Sequence, residues 1–219
     1  MARKDFLTRD EVRNAYEKWA KVYDLAVHFY YLIGMRVGHW RRLAVDALAL
    51  RPGDTVVEIG CGTGLNFALL EQTVGAEGKI IGVDISEAML ERARHRVRAA
   101  GWHNVELVSS AAADYQFPNG VDGILSMGVL NYEPEFDKVI KEGTKALVSG
   151  RRWVVLDYKR PNNWRRHLAP LFVALGRPFG VSLALMDRHP WESVKAHLRR
   201  TQMRELYGGF VYIISGEAP

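Results

Sequence analysis

The 219-residue sequence is short of several things, and each shortage closes off a class of protein. It has a single cysteine, Cys61, so the chain can form neither an internal disulfide framework nor a cysteine-built zinc site. No apolar run reaches the roughly 18 to 20 residues needed to cross a bilayer. The opening MARKDFLTRDEVRNAYEKW is too polar for a secretory signal, which leads us to expect a cytoplasmic protein. Internal repeats, low-complexity tracts and metal-ligand spacings are also missing, so no metal is expected. At 48% hydrophobic and 25% charged residues, the composition is that of a folded globule and excludes wholesale disorder.

The surplus is basic: 30 Lys and Arg against 25 Asp and Glu, a net charge of +5. That balance favours an anionic partner, whether nucleic acid, anionic lipid or a phosphate-bearing substrate, without choosing among them.

The chain falls into three zones. Residues 1–50 read as helical, 51–158 alternate short strands with helices, and 159–219 begin basic and apolar and end in strands. In the middle zone the β-like runs are Thr55–Ile59, Lys79–Asp84, Val105–Ser109, Val121–Met127 and 153–158, separated by helical stretches at 66–73, Glu87–Ala100 and 135–147. Strands punctuated by helices imply right-handed βαβ crossovers and a parallel sheet. A helix is expected at 192–200, and 205–207 with 210–215 around Gly208-Gly209 should form an antiparallel hairpin.

The strongest local signal is Val56-Val57-Glu58-Ile59-Gly60-Cys61-Gly62-Thr63-Gly64. Closely spaced glycines between a strand and a helix let a ligand approach the backbone and the helix N-terminus. Asp84 ends the next apolar run, where an acid can accept both hydroxyls of a ribose. The spacing G-x-G-x-G differs from the G-x-G-x-x-G of dinucleotide binders. Over residues 50–160 the pattern resembles the class I S-adenosylmethionine-dependent methyltransferases, whose first motif is E/D-x-G-x-G-x-G. The resemblance implies a Rossmann-like α/β fold, with a seven-stranded, mostly parallel sheet, a C-terminal antiparallel hairpin and a helical N-terminal lid. It implies S-adenosylmethionine as cofactor, cradled by Gly60, Cys61, Gly62 and Gly64, with Glu58 facing its methionine amine and Asp84 its ribose. Ile85 and Met89 would flank the adenine, Ser110 and Ala111 its edge, and Ser126 and Met127 would lie beneath the methyl donor. Many family members carry Asp or Asn where Ala111 stands.

Acceptor choice must come from outside this loop. Tyr16, Trp19, Ala20, Tyr23, Val27, Tyr30 and Tyr31 recur at helical spacing, an aromatic stripe that reads either as core or as a lid touching a membrane. The insertion 159–187 mixes arginines with apolar residues and holds no acid before Asp187, a pattern suited to an anionic membrane surface. Tyr23-Asp24, Trp40-Arg41-Arg42 and Arg51-Pro52-Gly53 are similar to the ubiquinone/menaquinone-biosynthesis methyltransferases. The chain has Met127-Gly128-Val129-Leu130-Asn131-Tyr132 in place of their F-G-x-R-N segment. Leu156-Asp157-Tyr158-Lys159-Arg160-Pro161, Arg188-His189-Pro190-Trp191-Glu192 and Tyr207-Gly208-Gly209-Phe210-Val211-Tyr212 instead resemble bacterial phospholipid N-methyltransferases. That resemblance implies methylation of phosphatidylethanolamine by a protein held peripherally at the inner face of the membrane. Tyr16, Tyr23 and Tyr132 would then position the headgroup by cation–π contact, and Lys159, Arg160, Arg165 and Arg166 would hold the phosphate. His28, His39, His167 and His189 are candidate proton acceptors. The alternative is C- or O-methylation of a quinone precursor or other small hydrophobic acceptor. Nucleic acid is not expected, because Arg92-Ala93-Arg94-His95-Arg96-Val97-Arg98 reads as the solvated face of a sheet-flanking helix.

Overall fold

The computed structural model describes residues 8–19, 34–176 and 180–219. The helical N-terminal zone holds two helices among the described residues, α1 (Arg9–Trp19) and α2 (Val37–Ala47). Then follow β1 (Thr55–Ile59), α3 (Phe67–Val74), β2 (Lys79–Asp84), α4 (Glu87–Ala100), β3 (Val105–Ser109) and β4 (Val121–Met127). The chain closes with α5 (Phe136–Ala146), β5 (Leu147–Tyr158), α6 (Ala169–Gly176), α7 (Leu183–Met186), α8 (Pro190–His197), β6 (Arg199–Leu206) and β7 (Val211–Glu217).

All strands join one sheet in the order β3-β2-β1-β4-β5-β7-β6. The pairs β1–β2, β2–β3, β1–β4 and β4–β5 are parallel, while β7 runs antiparallel to both β5 and β6. This is the expected Rossmann-like methyltransferase architecture. Successive strand residues point to opposite faces, so Val56, Ile80, Leu125 and Val154 pack with α2, α3 and α4 on one side. Val57, Ile81, Ile124 and Val155 pack with α5 and α8 on the other. Strands covered on both faces read as near-continuous apolar runs, which is why β1, β2 and β4 stand out in the sequence. Strand order reverses between β1 and β4, and ligands of open α/β sheets bind in the crevice at such a point.

Two boundaries differ from expectation. The helix expected over 192–200 stops at His197, because Leu198 turns extended (φ −115°, ψ 154°) and is buried, 5% exposed. The chain from Arg199 is edge strand β6, whose polar residues suit a partly solvated edge and hide its β character. Strand β5 begins at Leu147, ahead of the expected 153, and its pairing with β4 shifts register between Val121 and Gly123.

The ring of Phe67 is wholly buried at the start of α3, and a side chain at either Gly64 or Gly82 would strike it. It is the strut beneath the β1–α3 turn. Phe67→Ala should therefore cost about 3 to 5 kcal/mol of stability in urea unfolding. A loss under about 1 kcal/mol would show that the turn stands without it.

Candidate active site

At the end of β1 the chain turns sharply, and its backbone donors are taken up by the end of β2. The N–H groups of Gly60 and Cys61 donate to the Val83 carbonyl at 2.8 and 3.0 Å. Gly62 N–H donates to Asp84 Oδ2 at 2.8 Å, and Ser86 N–H to Asp84 Oδ1 at 2.9 Å. Gly62 sits at φ +55°, and a Cβ there would meet nothing within 4 Å, so the loop leaves open space where a ligand can lie against backbone. That space is a cleft of about 800 Å³ bounded by Gly62, Asp84, Met89, Ala111, Met127 and Tyr132. Helix α1 borders it through Val12 and Tyr16, the latter ring edge-on to Tyr132 at 6.1 Å. Arg9 holds α1 to both rims, reaching Glu133 at 2.8 Å and Glu135 at 2.5 Å on one side and Asp114 at 3.6 Å on the other.

A second hollow of about 810 Å³ shares Tyr16, Gly60, Gly62 and Gly128 with the first and extends toward Trp40 and Tyr158. Glu58 lines it, 1% exposed, its Oε1 accepting from Asn66 Nδ2 at 2.5 Å. Glu58 Oε2 and Asn66 Oδ1 are buried acceptors without a donor, and Arg41 Nε is a buried donor without an acceptor. Unmatched groups of this kind call for a ligand. Two acceptors and one cation in one hollow match an amino-acid zwitterion, ammonium on Glu58 and Asn66, carboxylate on Arg41. Each Asp84 oxygen keeps a lone pair beyond its backbone bond, enough for two neighbouring hydroxyls. These groups and the open face of Gly62 thus fit a nucleoside that carries a free amino-acid zwitterion.

Asp157, next to last in β5, is wholly buried and accepts from Tyr158 N–H at 2.8 Å and Asn131 N–H at 3.1 Å. Asn131 Nδ2 in turn donates to the Tyr158 carbonyl at 2.7 Å, tying the loop after β4 to the end of β5.

The structure gathers most of the expected residues. Tyr16, Gly60, Gly62, Asp84, Ile85, Met89, Ser110, Ala111, Met127 and Tyr132 all border the cleft. Gly64 has another role: at φ +74° its missing side chain makes room for the Phe67 ring, 2.6 Å from where a Cβ would stand. Cys61 borders the second hollow but is buried, and that burial pushes its thiol well above its usual pKa. Ser126 is a correction. It is wholly buried and its Oγ accepts from Trp153 Nε1 at 3.1 Å, so its hydroxyl is engaged under the sheet.

The four basic residues expected to hold a phosphate lie apart from the cleft. Lys159 is buried and paired with Glu205, and Arg160 is paired with Asp187. With Arg166 they line a separate polar hollow, while the Arg165 guanidinium sits 5.2 Å above the Trp164 ring. Tyr23 and His28 lie outside the described residues; His39, His167 and His189 are exposed. Asn66, Arg41, Asp157 and Arg9 were not singled out from sequence. Asn66 opens a helix, where a polar residue is ordinary, and only the pairing with Glu58 gives it meaning.

Burial dominates the electrostatics. It pushes Glu58 up to about 8, against the opposing Asn66 hydrogen bond and Arg41 charge. It raises Asp157 to about 7 despite the backbone donors around it, and it also raises Asp84. Both numbers lie above the ordinary carboxylate values of about 4, so the folded chain binds more protons than the unfolded chain between about pH 4 and 8. Stability contributed by these groups is full below about pH 4 and falls as pH rises through 7 and 8. Between pH 6 and 8 the ligand-free protein should lose roughly 2 kcal/mol more than Glu58→Gln does, measured by urea unfolding. Parallel curves for the two proteins would mean that Glu58 ionises normally.

Comparison with known proteins agrees with this geometry. A family model described as "ubiE/COQ5 methyltransferase family" matches residues 4–171. A demethylmenaquinone methyltransferase of Listeria welshimeri is 27% identical over 182 residues, covering 80% of this chain and 77% of its own. One from Desulfitobacterium hafniense is 28% identical, covering 98% and 94% respectively. Among solved structures, geranyl diphosphate C-methyltransferase from Streptomyces coelicolor, in complex with S-adenosyl-L-homocysteine, superposes with a TM-score of 0.68 at 16% identity. That superposition covers 83% of this chain and 76% of the other.

These matches overturn the expected phosphatidylethanolamine N-methylation, since the relatives are named for a quinone acceptor. The C-terminal sequence strings behind that expectation prove to be packing. Lys159 is neutralised by Glu205, Arg188 Nη2 donates to the carbonyls of Glu133 and Pro134 at 2.6 and 3.1 Å, and Tyr212 is wholly buried. With the glycine loop, the Asp84 carboxylate and a family match across residues 4–171, the chain belongs to the ubiE/COQ5 methyltransferase family, and S-adenosylmethionine is its methyl donor.

Proposed function

We propose that the chain methylates a ring carbon of a reduced, lipophilic quinone, a naphthoquinol of the demethylmenaquinol type. The observation that carries this reading is the aromatic and apolar part of the second hollow's lining, Tyr16, Met35, Trp40, Leu156 and Tyr158, which lies beside the polar groups that fit the donor and is continuous with the nucleoside cleft. A flat bicyclic ring is the kind of acceptor such walls hold. The relatives' names support the same acceptor class.

Bound S-adenosylmethionine supplies an electrophilic methyl group on a sulfonium. Around it, Asp84 takes the ribose hydroxyls, and Ile85, Met89, Ser110 and Ala111 enclose the adenine. Glu58 with Asn66 takes the ammonium, and Arg41 the carboxylate. Gly128 lies where cleft and hollow meet, at φ +67° with nothing within 4 Å of a Cβ, and so leaves the methyl path clear. Tyr16 and Tyr132 orient the ring and help exclude water, so that acceptor carbon and methyl group meet in line. The ring carbon becomes nucleophilic when a quinol hydroxyl loses its proton. Once the methyl group had passed to that carbon, leaving S-adenosylhomocysteine, the carbon would release its hydrogen as a proton to solvent and the ring oxygen would regain the proton held by the protein carboxylate. Asp157, raised to about 7 and bordering the hollow, is our assignment for the carboxylate that receives the hydroxyl proton.

Purified protein given methyl-labelled S-adenosylmethionine and a chemically reduced polyprenyl naphthoquinone should yield a ring-methylated product by mass spectrometry. Label in no quinol fraction would refute the acceptor. Asp157→Asn should lower kcat by about 100-fold or more and remove the acid limb of the pH profile, with donor affinity unchanged. An unaltered acid limb would relieve Asp157 of the role.

Donor binding has its own test. Gly62→Arg fills open space, so the chain should fold, at a backbone cost of about 1 to 2 kcal/mol, and fail to bind S-adenosylhomocysteine by calorimetry. Asp84→Ala should weaken that binding severely. Full affinity in either variant would move the donor elsewhere.

A further inference from the structure

We infer that α6, with the 3₁₀ turn Trp164–Leu168 before it, is a docking face for an anionic lipid bilayer. The inference goes beyond the choice of acceptor and rests on the quinol reading only for the use of holding the acceptor hollow near the bilayer.

Helix α6 is apolar around its whole circumference. One face is used by the fold: Ala169 and Gly176 are buried, and Phe172 stacks on Phe210 at 4.8 Å with 13° between the rings. The opposite face is left in the open. Leu168, Leu171 and Leu175 recur at helical spacing and are 43, 62 and 44% exposed, flanked by Trp164 at 67% and Leu183 at 38%. Among the described residues, every other large hydrophobic side chain except Val148 is at least partly covered. Among the described residues nothing covers this face of an all-apolar helix.

Charge identifies that partner. Residues 159–186 contain no Asp or Glu. Lys159 and Arg160 are neutralised from outside the segment by Glu205 and Asp187. Arg165 and Arg166, exposed on the turn beside Trp164, have no acidic partner among the described residues, and His167 lies next to them. A tryptophan and arginines at the edge of a leucine face match an interface in which side chains enter the acyl boundary and guanidinium groups meet lipid phosphates. A second copy of the chain is the poorer occupant, since self-pairing would set two basic, acid-free segments against each other with no opposite charge between them.

The face also lies close to the site. Phe172, behind the exposed leucines, packs against the Tyr158 ring at 5.9 Å, and Tyr158 borders the second hollow. Docking through α6 would thus hold the acceptor hollow near the bilayer that carries a long-tailed acceptor.

The test is sedimentation of the full chain with vesicles of phosphatidylcholine alone or of equimolar phosphatidylcholine and phosphatidylglycerol, with no methyl acceptor present. The protein should pellet with the anionic vesicles and be released as salt rises. Leu171→Asp/Leu175→Asp should weaken binding at least about tenfold. Arg165→Gln/Arg166→Gln should lose about tenfold on anionic vesicles and little on neutral ones. An unchanged melting temperature and S-adenosylhomocysteine affinity would show that the variants are folded. Wild-type protein left in the supernatant would overturn the inference, as would a leucine variant that pellets like wild type. A wild-type dimer dissolved by the leucine substitutions would assign the face to a second copy instead. Because no quinol enters the assay, failure here and failure of the acceptor reading are separate results.

Discussion

The site depends on a small set of backbone hydrogen bonds between the loop after β1 and the end of β2. Parallel pairing sets Ile59 beside Val83, and the next donors along β1, those of Gly60 and Cys61, fall on the Val83 carbonyl. One residue further, Gly62 N–H reaches the Asp84 carboxylate. A one-residue slip in this register would exchange the two buried faces of β1 and carry Gly62 away from Asp84. The same pairing aims Glu58 and Asp84 at two neighbouring cavities from adjacent strands. Phe67 closes the arrangement from below, in space that Gly64 and Gly82 leave empty.

The loop's exactitude contrasts with the incompleteness of what surrounds it. Glu58 Oε2, Asn66 Oδ1 and Arg41 Nε are buried without partners, and burial, with the Asp84 charge, carries Glu58 to about 8. Leaving polar groups unsatisfied destabilises the ligand-free fold. Those same groups are preorganised, so a charged ligand that supplies the missing donors and acceptor finds them already oriented. Helix α1 is fastened across the cleft by ion pairs from Arg9 to the buried Glu133 and to the exposed Glu135 and Asp114.

Acceptor chemistry belongs to a different part of the molecule. The second hollow draws its walls from α1, α2, the end of β5 and β7, elements far apart in sequence. Residue strings after β5 look like a headgroup site when read in line. In three dimensions their charges are spent on Glu205, Asp187 and the carbonyls of Glu133 and Pro134. What remains outward is Arg165, Arg166 and a leucine face, a surface rather than a pocket.

The sequence by itself determined the sheet-forming strands β1 to β4, the helices between them, the glycine loop and Asp84. Each of these is a local pattern: apolar runs buried on both faces, and glycines where the backbone must turn and lie open. The hairpin of β6 with β7 was legible from its end at 205–206, but the stretch 199–204 of β6 escaped because an edge strand needs no apolar run. Tertiary structure alone decided that Asn66 completes Glu58, that Arg41 and Asp157 face the same hollow, that Ser126 is engaged by Trp153, and that Lys159 is neutralised. Those outcomes depend on which distant side chains burial brings within hydrogen-bond reach, and sequence spacing carries no record of that.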